Sequence, residues 1–395
     1  MNDTSRSNRY HITILGRRNA GKSSLLNALV GQDISIVSDV AGTTADTVWK
    51  NIELPGIGAA VIGDTAGFDD EGSLGEKRVE ATRKALQRSD LAIILLGDCA
   101  DGCEHEKLWH EQLAALQIPC ILVAGKCDVE ESGQRLAQWR SLFAEEVLPF
   151  SSVTGEGRVQ LLERMASLYK DDDNLDDITY TLAGSGDIVV LVMPQDASAP
   201  KGRLIQPQVL TLRNLLDKHA VPLCCAPEEL PFLLQSLAVP PKLIITDSQV
   251  FAQVEALTPQ GTALTSFSVL MPRHKGDIDT FRKGAEVLRS MPANGRVLIA
   301  EACSHIPQNE DIGRVKLPRL LRSKLGDSLV IDIVSGNDFP ADLAGYDIVI
   351  HCGACMFNRR MVMSRVRQAK AQGVPITNYG IAIAALTGIF DRVVM

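Results

Sequence analysis

The sequence predicts an α/β protein of more than one domain, and three observations carry that prediction. Short apolar runs alternate with amphipathic helical stretches along most of the chain, the pattern of a mostly parallel sheet covered by helices on both faces. Polar or glycine-rich segments follow the ends of those runs, where open parallel sheets bind their ligands. A chain of 395 residues is also too long for one ordinary core, so two or three domains are expected.

The first run, Ile12 to Leu15, leads into Gly16-Arg17-Arg18-Asn19-Ala20-Gly21-Lys22-Ser23, and a helical pattern continues from Ser24 to Val30. A strand, then G-x-x-x-x-G-K-[ST], then a helix is the phosphate-loop arrangement. The glycines let the backbone wrap a polyphosphate, and the N–H groups at the helix start point at it. Asn19, Ala20, Gly21, Lys22, Ser23 and Ser24 are therefore the expected nucleotide-binding residues. Lys22 is expected to bridge the β- and γ-phosphates, and Ser23 to place its hydroxyl on Mg²⁺.

Downstream, Val48 to Leu54 and Ala59 to Gly63 read as a hairpin that runs into Asp64-Thr65-Ala66-Gly67. Helices are expected over 74–87, around 107–116, over 134–143 and over 159–169, with strands at 91–96, 120–124 and 147–151. Asp64 stands at a strand end, the place for a carboxylate that meets Mg²⁺ through water, and Gly67 can give its N–H to a γ-phosphate. Thr43 and Thr44, in Gly42-Thr43-Thr44-Ala45-Asp46, sit in the loop after the first helix. A Thr there completes the Mg²⁺ shell only while the γ-phosphate is present, which makes a switch. Gly125-Lys126-Cys127-Asp128 follows another strand, and its Asp can accept two hydrogen bonds from a guanine edge. Ser151-Ser152-Val153 is then expected to close over the base, with Ser152 among the contacts. In this order, at strand ends behind a phosphate loop, these motifs read as a translation-factor-type small GTPase. Lys22, Thr44, Asp64 and Gly67 are its expected catalytic residues.

Bulk composition narrows the class. The chain is 45% hydrophobic and 22% charged, as in soluble globular proteins. A net charge of −8 leaves no basic footprint, so nucleic acid is not the expected partner. No apolar run is long enough to span a membrane, and the first residues lack the apolar core of a signal peptide. A cytoplasmic protein with reduced thiols is therefore expected. Its nine cysteines read as ligands, reactive groups or small core residues.

Lys170 to Asp177 is a charged break that reads as a linker. Domains are accordingly expected at 1–170, 178–262 and 263–395. The middle one repeats the α/β grammar, with strands at 188–193, 221–225 and 243–246 and helices at 208–218, 230–237 and 248–257. It carries no phosphate loop or acid/base constellation, so oligomerisation is its expected role. Cys224-Cys225 lies inside an apolar strand and reads as core.

In the last third, the strand at 297–301 is followed by Cys303-Ser304-His305, and the strand at 347–350 by His351-Cys352-Gly353-Ala354-Cys355. Strands at 329–334 and 376–377 flank them. Both cysteine groups fall at carboxyl ends of parallel strands, so the fold can bring them together. A basic helix at 357–371 follows Cys352 and Cys355, and its dipole favours thiolate over thiol. Three thiolates with an open or His-filled fourth position suit an iron–sulfur cluster better than a closed structural zinc site, yet spacing alone leaves both metals open. A second group, Cys99, Cys103 and His105, has no distant partner and reads as incidental.

Asn19 and the Gly42-Thr43-Thr44 switch resemble the TrmE–Era group, in which a phosphate-loop Asn accompanies potassium-stimulated hydrolysis. Phe68 stands where Ras-like proteins place a water-orienting Gln. That resemblance implies K⁺ as a charge-stabilising element. Gly125 departs from the usual Asn of the guanine motif. The whole set, GRRNAGKSS, DTAG and C-x-H…H-C-x-x-C, resembles the iron–iron hydrogenase maturation GTPases, the HydF family, over essentially the whole chain. The resemblance implies a 4Fe–4S cluster on Cys303, Cys352 and Cys355, with His305 or His351 as the fourth ligand. It further implies a homodimer through the middle domain, and partners in the radical-SAM maturases HydE and HydG and in apo FeFe-hydrogenase, to which a di-iron subcluster precursor is delivered. The fold class is then α/β, a P-loop GTPase domain followed by two smaller α/β domains with parallel sheets. The alternative is a TrmE-like GTPase in tRNA modification or assembly with a structural zinc site.

Overall fold

The computed structural model describes residues 9–30, 48–65, 73–97, 102–129, 132–169, 177–195, 202, 204–302, 311–336, 338–354 and 357–394. Thr43, Thr44, Gly67, Cys99, Cys303, His305 and Cys355 lie outside them. The chain forms two compact units, Met1–Asp171 and Asp172–Met395.

In the first unit the elements run β1 (Tyr10–Gly16), α1 (Lys22–Val30), β2 (Val48–Leu54), β3 (Gly58–Asp64), α2 (Ser73–Leu86), β4 (Leu91–Leu96), α3 (Glu104–Ala115), β5 (Cys120–Ala124), α4 (Ser132–Leu142), β6 (Val147–Pro149) and α5 (Arg158–Leu168). They make a six-stranded sheet in the order β2-β3-β1-β4-β5-β6. Only β2 runs antiparallel, paired with β3 as a hairpin. The central strands are buried on both faces, which is why their sequences are continuous apolar runs. One face packs Ile12 and Ile14 against Leu25, Leu26 and Leu29 of α1 and Leu161 and Met165 of α5. The other packs Leu15 and Ile94 against Trp109 and Leu113 of α3 and Trp139 of α4. Cys103 is buried in this second core.

The second unit holds β7 (Ile188–Val192), α6 (Gln206–Asp217), β8 (Val221–Cys225), α7 (Leu230–Ser236), β9 (Leu243–Thr246), α8 (Phe251–Leu257), β10 (Ala263–Ser266), α9 (Phe267–Lys275), α10 (Ile278–Leu288), β11 (Arg296–Ala300), α11 (Leu317–Leu325), β12 (Val330–Val334), β13 (Ile348–His351), α12 (Arg359–Ala371), β14 (Ile376–Asn378) and α13 (Tyr379–Thr387). Two parallel sheets result, β10-β9-β7-β8 and β12-β11-β13-β14. The expected boundary between residues 262 and 263 falls just before β10, which completes the first of these sheets. A single hydrophobic core runs from Val190 and Ile244 of that sheet through Phe281 of α10 to Leu298 and Val349 of the other. Gly284 permits part of this packing, because a Cβ there would collide with the Ile376 carbonyl.

Cys224 departs from its expected core position and is exposed. Its strand, β8, lies at the sheet edge and pairs only with β7 among the described residues, so alternate side chains face outward. The basic helix begins at Arg359 because the Asn358 side chain caps it, accepting the Met361 N–H at 3.2 Å.

Candidate functional site

The nucleotide loop joins β1 to α1. Asn19 and Gly21 take positive φ, 58° and 101°, and this left-handed geometry turns successive N–H groups inward. Lys22 is buried and donates to the carbonyls of Gly16 at 3.0 Å and Arg17 at 2.8 Å, so its ammonium lies across the loop mouth. The Ser23 hydroxyl donates to Asp64 Oδ2 at 2.6 Å. Asp64 Oδ1 is buried and has no hydrogen-bond partner among the described residues. A hydroxyl and an unsatisfied carboxylate oxygen side by side fit an Mg²⁺ held directly by Ser23 and through water by Asp64. Thr65 anchors this strand end, its hydroxyl donating to the Ile14 carbonyl at 2.7 Å.

The loop expected to read guanine follows β5. Asp128 accepts a hydrogen bond from the Ser151 hydroxyl at 2.7 Å, and that bond holds its carboxyl below the ordinary value. Ser151 is buried and also accepts the N–H groups of Val153 and Thr154, at 3.2 and 3.1 Å. The residue that braces Asp128 is thus Ser151, whereas Ser152 is exposed. Gly125 sits against the phosphate loop, since a Cβ there would lie 3.4 Å from the Ala20 carbonyl oxygen and 3.1 Å from Leu95.

Sequence reasoning missed one further group. Arg17, inside the phosphate loop, donates Nε and Nη2 to the two carboxylate oxygens of Glu106 at 2.7 and 2.9 Å. Glu106 on α3 is fully buried. The fork therefore pins the loop to a helix 89 residues away in sequence, a separation at which no local signal exists.

At the other site, Cys352 follows β13. Its sulfur accepts the Ala302 N–H at 2.9 Å and the Ala354 N–H at 3.4 Å. The two N–H groups come from different segments, Ala302 after β11 and Ala354 after β13. Backbone N–H groups on a sulfur stabilise its thiolate form, which fits a soft-metal ligand. His351, one of the two residues expected as a fourth ligand, immediately precedes Cys352. It is 1% exposed, its Nδ1 is hydrogen-bonded to the Cys352 carbonyl at 2.8 Å, and its Nε2 faces Arg365 Nη1 at 3.0 Å. Burial, with the Arg365 charge beside it, pushes its pKa down to about 3, so the ring is neutral. Nδ1 then carries the proton and Nε2 accepts from the guanidinium.

The carboxyl ends of both sheets meet around this loop. A cavity of about 350 Å³ lies there, walled by Phe267, Met271, Leu317, Leu320 and Ile383, with Gly353 of the cysteine loop on its lining. Such a position, outside the strand ends of open parallel sheets, is where ligands bind.

Among the described residues no helix is long and apolar enough to cross a membrane. Three family models match the chain: 50S ribosome-binding GTPase over residues 11–126, hydrogen maturase F dimerization domain over 178–276, and hydrogen maturase F tetramerization domain over 279–395. The tRNA modification GTPase MnmE of Chromobacterium violaceum is 40% identical over 129 residues, 32% of this chain and 28% of its own length. That of Xanthomonas euvesicatoria is 38% identical over 163 residues, 41% of this chain and 34% of its own length. The chain thus spans about a third of the curated relatives it matches. Among solved structures, an Era variant of Aquifex aeolicus bound to GDP·AlF4⁻ is similar at 19% identity and a TM-score of 0.33, over 55% of this chain and 92% of that one. The G domain of the T. maritima FeoB iron transporter is similar at 23% identity and a TM-score of 0.31, over 41% of this chain and 99% of that one. The two maturase models together cover more than half of the residues, behind a GTPase domain, and the chain belongs to the hydrogen maturase F family.

Proposed function

We propose that this chain is a GTP-hydrolysing scaffold that holds a 4Fe–4S cluster on Cys303, Cys352 and Cys355. In this reading it hands a di-iron subcluster precursor to apo FeFe-hydrogenase. The observation that carries the reading is the meeting of N–H groups from both cysteine segments, Ala302 and Ala354, on the one sulfur of Cys352. Membership of the maturase family agrees with it.

The nucleotide half works by positioning. Lys22 leaves the Gly16 and Arg17 carbonyls for the β- and γ-phosphates, and Ser23 leaves Asp64 to ligate Mg²⁺. Thr43 and Thr44 close with the γ-phosphate, Gly67 donates its N–H to it, and Asp128 reads the guanine with Lys126 beside it. Asn19 holds K⁺ near the developing charge, a role implied by resemblance to the TrmE–Era group. At the other half, Cys303, Cys352 and Cys355 would hold a cluster that, when bound, would supply an iron with an exchangeable position. His305 or His351 would fill that position.

The middle domain would join two copies. β8 offers an edge with Val221 46% exposed, and the matching model is a dimerization domain. HydE, HydG and the hydrogenase are the proposed partners, and the cytoplasm the proposed location. GTP hydrolysis would time partner exchange.

The test is transfer. Chain loaded by the maturases should activate apo FeFe-hydrogenase to evolve hydrogen, and a Cys352→Ala chain should not. Equal activation by both would overturn the proposal. The MnmE likeness favours a tRNA-modification reading only for the GTPase third, and binding of tRNA that falls steeply with salt would support it.

A further inference from the structure

The sheet β10-β9-β7-β8 has two edges, and the chain treats them differently. On β10 the Ala263 N–H points inward, to the Lys242 carbonyl just before β9, at 3.1 Å. Successive residues of a strand turn their backbone groups to opposite sides, so Leu264 points outward. Its carbonyl accepts the Val394 N–H at 3.0 Å, and the Val394 carbonyl accepts the Thr265 hydroxyl at 2.8 Å. The chain itself therefore occupies this edge.

β8 presents its backbone outward instead. Val221 donates its N–H to the Asp187 carbonyl at 2.9 Å, and the Cys225 carbonyl accepts the Met193 N–H at 2.9 Å. Residues 221, 223 and 225 thus face β7, and Pro222 and Cys224 face away from it. Pro222 suits that place, because a proline is tolerated in a sheet where its missing N–H turns away from the ladder. Cys224 is exposed, and within β8 it is the one residue that offers both an N–H and a C=O to the edge.

Two copies joined at this edge by a two-fold axis normal to the sheet run antiparallel, and some residue then stands opposite its own copy. Pro222 opposite itself exchanges no bond. Centring on Leu223 sets Cys224 against Pro222, whose missing N–H leaves the Cys224 carbonyl unanswered. Centring on Cys225 calls on the Ala226 carbonyl, which already accepts the Glu229 N–H at 3.2 Å. Centring on Cys224 exchanges two complete N–H···O=C bonds. It also sets the Ala226 carbonyl, already in use, against the proline nitrogen that has nothing to donate.

We propose that a second copy of this chain docks antiparallel on β8 with the two Cys224 residues opposite each other, a register that Pro222 imposes; this rests on the dimer reading given above. Directly opposed residues of this hydrogen-bonded kind have Cα atoms about 5.5 Å apart. Their side chains lie on the same face of the joined sheet, so the two thiols emerge side by side at the centre of the interface.

One reagent and two variants test the register. Full-length chain is treated with a short bis-methanethiosulfonate, and the products are separated on a denaturing gel and mapped by peptide mass spectrometry. A species of twice the chain mass, joined from Cys224 to Cys224, is expected. It should vanish in Cys224→Ser, which stays dimeric by sedimentation velocity. Cys224→Pro removes both central donors and spares the β7 ladder, so its dimer dissociation constant should rise by about tenfold or more, with an unchanged circular dichroism spectrum. Should Cys224→Pro fail to fold, the mapped cross-link alone decides. A wild-type dimer that is not joined through Cys224, or that a folded Cys224→Pro leaves equally tight, overturns the register and leaves the dimer reading standing. A monomeric wild-type chain overturns both.

Discussion

The Arg17–Glu106 fork offers the sharpest test of how the phosphate loop is held. Glu106→Gln keeps the shape of the side chain and removes its charge, leaving the Arg17 guanidinium facing a neutral amide. Breaking a fully buried pair from one side costs about 3–5 kcal/mol, and charged hydrogen bonds contribute about 1.5–3 kcal/mol. Glu106 is fully buried, but the Arg17 side chain keeps 17% of its exposure, so water offsets part of the loss. About 2–3 kcal/mol is the resulting expectation for the first unit. With a urea slope of about 2 kcal/mol per molar, the unfolding midpoint should drop by about 1–1.5 M. Because Arg17 lies in the loop itself, release of a fluorescent GDP analogue should also quicken, by about tenfold. The paired change Arg17→Met with Glu106→Leu should recover much of the stability, since it leaves no orphaned charge. A midpoint for Glu106→Gln within about 0.2 M of wild type, which at that slope is only a few tenths of a kcal/mol, would refute the argument.

Lys22→Ala should abolish GTP hydrolysis while leaving the circular dichroism spectrum unchanged; residual turnover near wild type would remove Lys22 from its role. Replacing K⁺ by Na⁺ should slow hydrolysis, and equal rates in the two salts would dismiss the part given to Asn19. Burial presses the His11 pKa down to about 4. An unfolded chain, at about 6.5, therefore binds a proton that the folded one refuses, so stability is full above pH 6.5 and falls as pH drops towards 4. His11→Phe should flatten that slope in urea melts, and an unchanged slope would show that other groups set it. Val221→Asp on β8 should shift the chain to monomers by sedimentation velocity without unfolding it; an intact dimer would place the interface elsewhere.

The sequence made some features legible and hid others for physical reasons. β1, β4 and β5 were readable because strands buried on both faces must be apolar throughout, and because their motifs sit at strand ends. β10 has four residues, Ala263–Ser266, too few for a period to emerge. α9 carries Pro272 in its interior, an ordinary helix breaker. α13 buries Gly380, Ile381, Ala382 and Ala384, so no polar face reveals its turn. The basic character of α12 was plain, but only packing distinguishes Arg365, buried behind the cysteine loop, from the helix's other cations. His351 looked like a ligand because a His beside C-x-x-C is ligand-like in pattern. Whether its nitrogens are already in use depends on Arg365, fourteen residues on. Ser151 and Ser152 were likewise indistinguishable until the turn chose which one meets Asp128.

Everything about the second site depends on one sulfur-bound centre shared by residues 303, 352 and 355. Chain purified without oxygen and reconstituted should contain about four iron and four sulfide per polypeptide, the content of a 4Fe–4S centre, and give a cluster signal in Mössbauer spectra that disappears in Cys352→Ala. A chain that instead carries one zinc, holds no sulfide and keeps that metal in Cys352→Ala would contradict the account.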